Sequence, residues 1–276
     1  MSSIYNKNLG KKTEYISTYD PTLLDPIPRK FGRESISIDN NKLPFSGYDL
    51  WTSFELSWLN SKGKPMIGIA EFKIPAQSEN IIESKSFKLY LNTLNQSKFD
   101  SLLSLTSKLK EDLCLAVDEE VGVEIFSACD SYSHQIKEPK SQCIDDIDIE
   151  IDDYGFNSDL LLNSTTSNSI VTERLHSNLL KSNCLVTNQP DWGSLFVSYT
   201  GNKIDKEKLL RYLISFREHN EFHEQCVERI FTDIKKYCLP DKLTVFARYT
   251  RRGGLDINPF RSDFEESATI GRLIRQ

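Results

Sequence analysis

The chain has 276 residues, of which 38% are hydrophobic and 27% charged, and its formal net charge is -6. These proportions are typical of a globular protein with a sizeable core, and the length allows one large domain or two modules. The negative charge argues against broad, sequence-independent nucleic-acid binding, which needs clustered Lys and Arg. No apolar run approaches the ~20 residues that span a bilayer, and the first residues lack the apolar region of a signal peptide. We therefore expect a cytoplasmic protein without a membrane partner.

The six cysteines are scattered, and no Cys-x-x-Cys pair occurs. Disulfides are rare in a reducing compartment, and a structural zinc site needs closely spaced ligands, so we expect neither. Most of these thiols should be buried as small hydrophobic groups. The six are Cys114, Cys129, Cys143, Cys184, Cys226 and Cys238.

The first half of the chain predicts strands, then two helices, then a strand. Four prolines and few apolar runs indicate that 1–45 is an extended arm with little regular structure. "DLWTSFELSWLN" (49–60) and "KPMIGIAEFKIP" (64–75) flank the turn signal "NSKGK" and predict a hairpin. Apolar spacings of three and four predict helices over 83–95, beginning near Ser84, and over 99–117. "VGVEIFSAC" (121–129) predicts a strand.

Residues 143–160 contain seven acids and no Lys or Arg. The alternating string "CIDDIDIEIDD" indicates either an edge strand, whose charges deter edge-to-edge pairing, or a solvated connector. We favour a strand that leads into a connector over 143–170.

The second half repeats the order of elements without a clear sequence repeat. We predict a strand and turn over 194–204, a helix over 205–219 with Asp205 as N-cap, a helix over 221–238 and a strand over 242–250. In the second helix Phe222, Cys226, Ile230 and Ile234 form one apolar stripe. The order predicts an α+β chain with modules over 46–142 and 171–276.

The string "KSNCLVTNQPDWGS" places Cys184 seven residues before Asp191. A nucleophilic cysteine needs a neighbour that lowers its pKa or takes its proton. Pro190 and Gly193 predict a turn around Asp191 that brings the acid back toward Cys184. The alternative is a buried thiol and an aspartate that caps the turn through its own backbone.

In "HNEFHEQC" the histidines His219 and His223 are four residues apart, a helical spacing compatible with metal binding. The string is not His-Glu-x-x-His, and no third ligand is evident, so metal is the weaker interpretation. Glu224 and His223 flank the apolar stripe of the helix. Glu224 is either an edge residue that reaches solvent or a pocket carboxylate that receives N–H groups from a ligand.

Glu83 precedes a helix in "IIESKSFKLY", where the helix dipole favours an acid. Ser84 and Lys85 could instead hold a phosphate at the helix start. The segment "RYTRRGGLDINPFRS" combines arginines, which suit phosphates, with two glycines that let a backbone approach them, although a solvated turn is the competing interpretation. No Rossmann or Walker glycine motif occurs. The arginines are Arg248, Arg251, Arg252 and Arg261.

Together, "ESKSFKLYLN", "SNCLVTNQPDWGS", "FHEQCVERIF" and "RRGGLDINPFRS" resemble the NADPH-dependent 7-cyano-7-deazaguanine reductases, the nitrile reductases of queuosine biosynthesis. The resemblance runs from about residue 10 to the C-terminus and is to the long, two-module form. It implies the tunnelling fold, in which each module has an antiparallel sheet backed by two helices. It also implies a homodimer.

The resemblance further implies roles for matched residues. Cys184 resembles the nucleophile that forms a covalent thioimide with the nitrile carbon, and Asp191 resembles the proton donor. Two NADPH would be used per turnover, and no metal is implied. The implied deazaguanine contacts are Ile82, Glu83, Ser84, His223 and Glu224. The implied NADPH contacts are Ser84, Lys85, Arg252 and Gly253.

Two other functions remain open from the sequence. One is a non-catalytic purine or pterin binder on the same fold, which would tolerate the loss of Cys184. The other is a cysteine hydrolase of nitriles or amides, which would want a base beside the thiol and would not need the arginine–glycine segment.

Overall fold

The computed structural model describes residues 16–129, 135–268 and 271–276, so predictions for 1–15 fall outside the described residues. The chain divides into two compact units that are not consecutive in sequence. The first takes described residues within 1–34, 48–135 and 251–257, and the second takes those within 35–47, 136–250 and 258–276. Helices and mainly antiparallel strands coexist in both units, which confirms the predicted α+β class.

The elements that lie wholly or mainly in the first unit are β1 (Pro26–Pro28), α1 (Arg29–Ser35), β2 (Ser46–Asn60), β3 (Pro65–Pro75), β4 (Asn80–Ile82), α2 (Ser84–Thr93), β5 (Lys98–Phe99), α3 (Leu102–Val117) and β6 (Gly122–Ser127). The predicted hairpin is confirmed as β2 and β3, and β6 pairs antiparallel with β3. The short β5 is parallel to β2. The two predicted helices are confirmed as α2 and α3.

The core of the first unit lies where α2 and α3 cover the sheet. Phe87 of α2 is fully buried, and its ring centroid lies 5.3 Å from that of Trp51 on β2 and 5.0 Å from that of Phe72 on β3. Leu109 and Leu113 of α3 belong to the same cluster. Burying each such side chain contributes about 1.5–3 kcal/mol, so this packing fixes α2 and the residues before it.

The N-terminal arm has more regular structure than we predicted, because β1 and α1 lie within it. β1 pairs antiparallel with β4. Arg29 of α1 is buried, and its guanidinium lies 2.6 Å from the Asp49 carboxylate. Ionic and backbone bonds of this kind hold the arm, although its composition is that of a loop.

The elements that lie wholly or mainly in the second unit are β7 (Gln142–Cys143), β8 (Thr165–Asn183), β9 (Pro190–Ile204), α4 (Lys206–Ile214), α5 (His223–Cys238), β10 (Lys242–Tyr249) and β11 (Leu255–Ser262). Within this unit the strands follow the order β11-β10-β9-β8-β7, all antiparallel except β7, which is parallel to β8. Asp205 caps α4 as predicted, by accepting from the N–H groups of Glu207 and Lys208. Each unit thus has a sheet and two principal helices, the arrangement expected of a tunnelling-fold module.

The second unit differs from the sequence predictions in several places. The 19-residue β8 was not predicted, because its polar string "TTSNSIVTERLHSNLLKSN" is typical of a loop. β9 begins at Pro190 and continues through the turn predicted near its end. The strand in the acidic segment is only β7, and the described residues 144–157 form no helix or strand before a short 3-10 helix at Ser158–Leu161.

Among the residues that the structure describes, no helix combines the length and apolarity that crossing a bilayer would require.

Candidate functional site

Cys184 and Asp191 lie on the hairpin formed by β8 and β9. Cys184 directly follows β8, and its N–H donates to the carbonyl oxygen of Gln189 at 2.8 Å. Asp191 pairs with Ser182 in the strand register. The strand partner of Asp191 is therefore separated from Cys184 by Asn183 alone.

The predicted turn around Asp191 is wrong, because Pro190, Asp191 and Gly193 all belong to β9. The chain reverses earlier, between Cys184 and Gln189. Gly193 pairs with Tyr249 of β10, and a Cβ at Gly193 would lie 3.2 Å from the Tyr249 ring. This glycine therefore makes room for an aromatic ring that crosses the strand two residues after Asp191.

His223 and Glu224 open α5 in the same unit as this hairpin. The Nε2 atom of His223 lies 3.7 Å from Oδ1 of Asp191. Asp191 is buried, with only 4% of its surface exposed. The His223 ring packs edge-on against Tyr249, with 4.1 Å between the ring centroids. Burial raises the pKa of Tyr249 well above its usual value, so its hydroxyl stays neutral. Glu224 is buried in the first turn of α5, where the helix dipole favours a carboxylate.

His219 and His223 do not share a helical face, since α5 begins only at His223. The Nε2 atom of His219 lies 3.2 Å from Glu221, which is buried and bonded in two-pronged fashion to Arg229. Within the described part of the chain, no cluster of three or more potential His, Cys, Asp or Glu metal ligands occurs.

In the first unit, Ile82 ends β4 and Glu83 caps α2. Both residues are buried, and the Glu83 carboxylate accepts from the N–H groups of Lys85 at 2.9 Å and Ser86 at 2.7 Å. Ser84 and Lys85 come next in the chain, and both are half-buried. A carboxylate offers about four acceptor positions, so Glu83 can cap the helix and still accept N–H groups from a ligand.

Arg252 and Gly253 lie at a two-residue turn. Arg252 and Leu255 exchange backbone hydrogen bonds of 3.0 and 3.4 Å across Gly253 and Gly254, both of which have positive φ. This is the glycine-favouring geometry of a type I′ turn. A Cβ at Gly253 would lie 3.5 Å from the Lys88 side chain, so α2 and the turn meet at this point.

The residues around this turn are of the kind that could hold a phosphate group. Lys85 and Lys88 are three apart on α2, and the turn adds Arg252 and a glycine backbone. Clustered cations beside an open backbone suit phosphate oxygens. Sequence reasoning missed Lys88, although its spacing from Lys85 in "ESKSFK" was a usable signal.

The other arginines of the segment have different surroundings. Arg261 is fully buried and donates through Nε and a terminal nitrogen to Glu228 of α5, at 3.0 and 2.9 Å. It is therefore enclosed by its own fold, which corrects the hypothesis that all four arginines suit a phosphate. Arg251 lies over the ring of Phe54, and Arg248 lies over that of Phe246.

Comparison with known families defines the class of protein. Residues 15–125 match the family described as "Nitrile reductase, 7-cyano-7-deazaguanine-reductase N-term". Residues 190–268 match the family described as "QueF-like protein". The two matches together cover more than half of the chain, which is thus an enzyme of the nitrile reductase type.

The chain belongs to the 7-cyano-7-deazaguanine reductase family of queuosine biosynthesis, whose members act on 7-cyano-7-deazaguanine and use NADPH. This confirms the family resemblance seen in the sequence. Among solved structures, the crystal structure of the archaeosine synthase QueF-Like in the apo form is similar at 16% identity, over 37% of this chain and 100% of that chain. The TM-score of 0.31 is too low to support any conclusion about either unit.

Proposed function

We propose that this protein reduces the nitrile of 7-cyano-7-deazaguanine (preQ0) to the primary amine of 7-aminomethyl-7-deazaguanine (preQ1). The observation that supports this most is the hairpin register, in which Asp191 pairs with Ser182, two residues before Cys184, while His223 lies beside the Asp191 carboxylate. Covalent addition to a nitrile needs a thiol and an acid that can reach the same substrate.

Cys184 acts as the nucleophile. Its sulfur bonds to the nitrile carbon, one π bond of the nitrile breaks, and a covalent thioimide results. The nitrile nitrogen becomes basic as sulfur adds, so a proton must reach it. Cys184 is half-buried at the loop end of the hairpin, so part of the residue remains exposed.

Asp191 supplies that proton and takes up the proton that the Cys184 thiol loses, so that S–H adds across the nitrile bond; it relays further protons as the nitrogen becomes an amine. Its burial and its neighbours Tyr249 and His223 keep bulk water from this carboxyl group. The carbon–sulfur bond later breaks and returns the thiol of Cys184.

Five residues, assigned by the family resemblance, orient the substrate. Glu83 and Glu224 accept N–H groups from the guanine-like edge, because a carboxylate can receive two parallel bonds. Ile82, Ser84 and His223 complete the contacts. The burial of each glutamate strengthens such bonds, since they act in a low-dielectric environment.

NADPH supplies hydride, and two molecules are needed because a nitrile becomes an amine by a four-electron reduction. Ser84, Lys85, Arg252 and Gly253 would hold it, and Lys88 joins them by its position beside Gly253. We further propose that the enzyme is a cytoplasmic homodimer that binds neither nucleic acid nor metal, on the strength of the family resemblance. Sedimentation velocity would test the dimer.

The decisive assay mixes the protein with NADPH and preQ0 and follows the loss of NADPH absorbance. We expect oxidation of two NADPH for each amine formed. Intact mass after incubation with the nitrile alone should show one adduct, which Cys184→Ala abolishes. Cys143→Ala, which removes an exposed thiol of the same unit, is the matched control and should keep the adduct.

Each alternative gives a different result. A non-catalytic binder would bind preQ0 but form no adduct and oxidise no NADPH. A hydrolase would release amide or acid without NADPH. Failure of the wild-type enzyme to oxidise NADPH in the presence of preQ0 would refute the reductase proposal.

A further inference from the structure

The connection between α4 and α5 runs beside the end of β8. The N–H of Asn183 donates to the carbonyl of His219 at 2.8 Å, and the N–H of Glu221 donates to the carbonyl of Asn183 at 3.1 Å. These bonds form a parallel bridge between Asn183 and Asn220. Asn220 is thereby placed next to the residue that precedes Cys184.

The hydrogen-bond network fixes the orientation of both side-chain amides. Lys181 can only donate, and its Nζ lies 2.6 Å from Oδ1 of Asn183. That leaves the Nδ2 group of Asn183 to donate to Oδ1 of Asn220, at 3.4 Å. The Nδ2 group of Asn220 is therefore the donor toward the hairpin loop.

This donor reaches both ends of the loop that carries the thiol. Nδ2 of Asn220 lies 3.2 Å from the carbonyl oxygen of Cys184 and 2.8 Å from Oδ1 of Asn188. Asn188 has a left-handed backbone, with φ of 56°. Its own N–H donates to the same Cys184 carbonyl at 3.0 Å. A single amide group thus clamps the first residue of the loop to the left-handed residue near its end.

The opposite side of this Asn220 clamp is firmly held. Glu221, next to Asn220, is buried and bonded to Arg229 through both carboxylate oxygens. The His219 ring packs on Phe156, with 4.9 Å between the ring centroids. Because these contacts fix the segment between α4 and α5, Asn220 can hold the hairpin loop in a defined position.

We propose that Asn220 is a positioning residue for the nucleophile: its amide fixes the backbone of Cys184 and so aims the thiol. This rests on the proposed function of Cys184. Asn220 acts through the Cys184 carbonyl and through Asn188, and it takes no part in bond making.

Two variants test the proposal. Asn220→Ser removes the bonds without adding charge, and Asn220→Asp keeps the shape but turns an oxygen toward two acceptors. In both, the rate of adduct formation with preQ0 should fall by about 10–100-fold, since small misplacement of a reacting group has costs of that size. The KM for NADPH should stay at the wild-type value. All rates are measured at a temperature where circular dichroism shows each variant folded.

Asn80→Asp is the matched control. Nδ2 of Asn80 donates to the carbonyl of Ala116 at 3.2 Å, the same kind and length of bond, within the first unit. It should lower the melting temperature without changing the adduct rate. Wild-type adduct rates in both Asn220 variants would overturn the proposal.

A readout that needs no turnover separates this proposal from the proposed function. The alkylation rate of Cys184 by iodoacetamide, followed on its peptide by mass spectrometry, should change in Asn220→Ser and not in Asn80→Asp. An unchanged rate would overturn the positioning role even if wild-type protein failed to reduce preQ0. A changed rate together with an inactive wild type would uphold the clamp and refute only the reaction.

Discussion

Oδ1 of Asp191 lies 3.7 Å from Nε2 of His223, beyond the length of a good hydrogen bond but within reach of an ionic contact. The carboxyl group is buried on a strand, and the imidazole is the first residue of a helix. An imidazole ring thus stands beside the carboxyl group that we propose as the proton donor.

Asp191→Asn tests the acid directly. The change keeps the shape of the side chain and removes its proton, so we expect turnover to fall about 10²–10⁴-fold, the usual contribution of general acid catalysis. Binding of preQ0, measured by calorimetry, should persist. Asp205→Asn, which makes the same change at a residue that caps α4, should leave turnover unchanged. Full turnover in Asp191→Asn would remove Asp191 from the mechanism.

Gly193→Ala tests the packing beneath the pair. The new Cβ would stand 3.2 Å from the Tyr249 ring and displace it from His223, so kcat should fall while NADPH binding is unchanged. We expect about 1 kcal/mol of lost stability by denaturant unfolding. Gly122→Ala is the control: it is also a strand glycine, and its Cβ would meet the Lys73 side chain at 3.3 Å. Equal activity loss in both variants would contradict the role assigned to the ring.

Two variants separate the helix cap that Glu83 forms from its proposed contact with the substrate. Glu83→Ala removes the cap of α2 and should cost about 1 kcal/mol of stability, as N-cap losses do. Glu83→Gln keeps one acceptor oxygen, so it should cost less stability but still raise the KM for preQ0. Asp205→Ala, which removes the equivalent cap from α4, should lower stability and leave that KM unchanged. If Glu83→Gln leaves the KM for preQ0 unchanged, Glu83 only caps α2 and does not bind the substrate.

Arg252→Ala and Lys88→Ala test the proposed contacts with NADPH. Each removes a cation near the Gly253 turn, so the KM for NADPH should rise about tenfold, the factor that corresponds to a lost charged hydrogen bond of roughly 1.5 kcal/mol. The KM for preQ0 should stay constant. Lys110→Ala, whose cation pairs with Glu120 on the surface, is the charge-matched control. If all three variants raise the KM for NADPH equally, the change in KM is due to net charge and not to the position of the cations near the Gly253 turn.

The helices could be predicted from sequence because their apolar spacing is local. Cys226, Ile230 and Ile234 repeat every four residues and are all fully buried on α5. β8 could not be predicted, because it is mostly polar and has few large apolar residues. Its backbone hydrogen bonds to β9, which the composition does not reveal, hold it as a strand.

The local structure around the candidate site residues could not be predicted from the sequence. Cys184 and Asp191 were singled out, yet Gly193 was given a turn role when its actual constraint is the ring of Tyr249, on a strand far along the chain. The Asn220 clamp had no sequence signal, since its partners on the hairpin lie far from Asn220 in the chain. Such long-range amide contacts arise from the packing of α4, α5 and the hairpin.

Residues 251–257 belong to the first unit, and Leu255 and Ile257 lie in its core cluster with Trp51 and Phe87. On the ribosome, then, the N-terminal half cannot complete its interior when it emerges. It must wait until residues 251–257 have also been synthesised. A nascent chain arrested before residue 250 would expose an unfinished apolar surface, which is where a chaperone would be expected to bind.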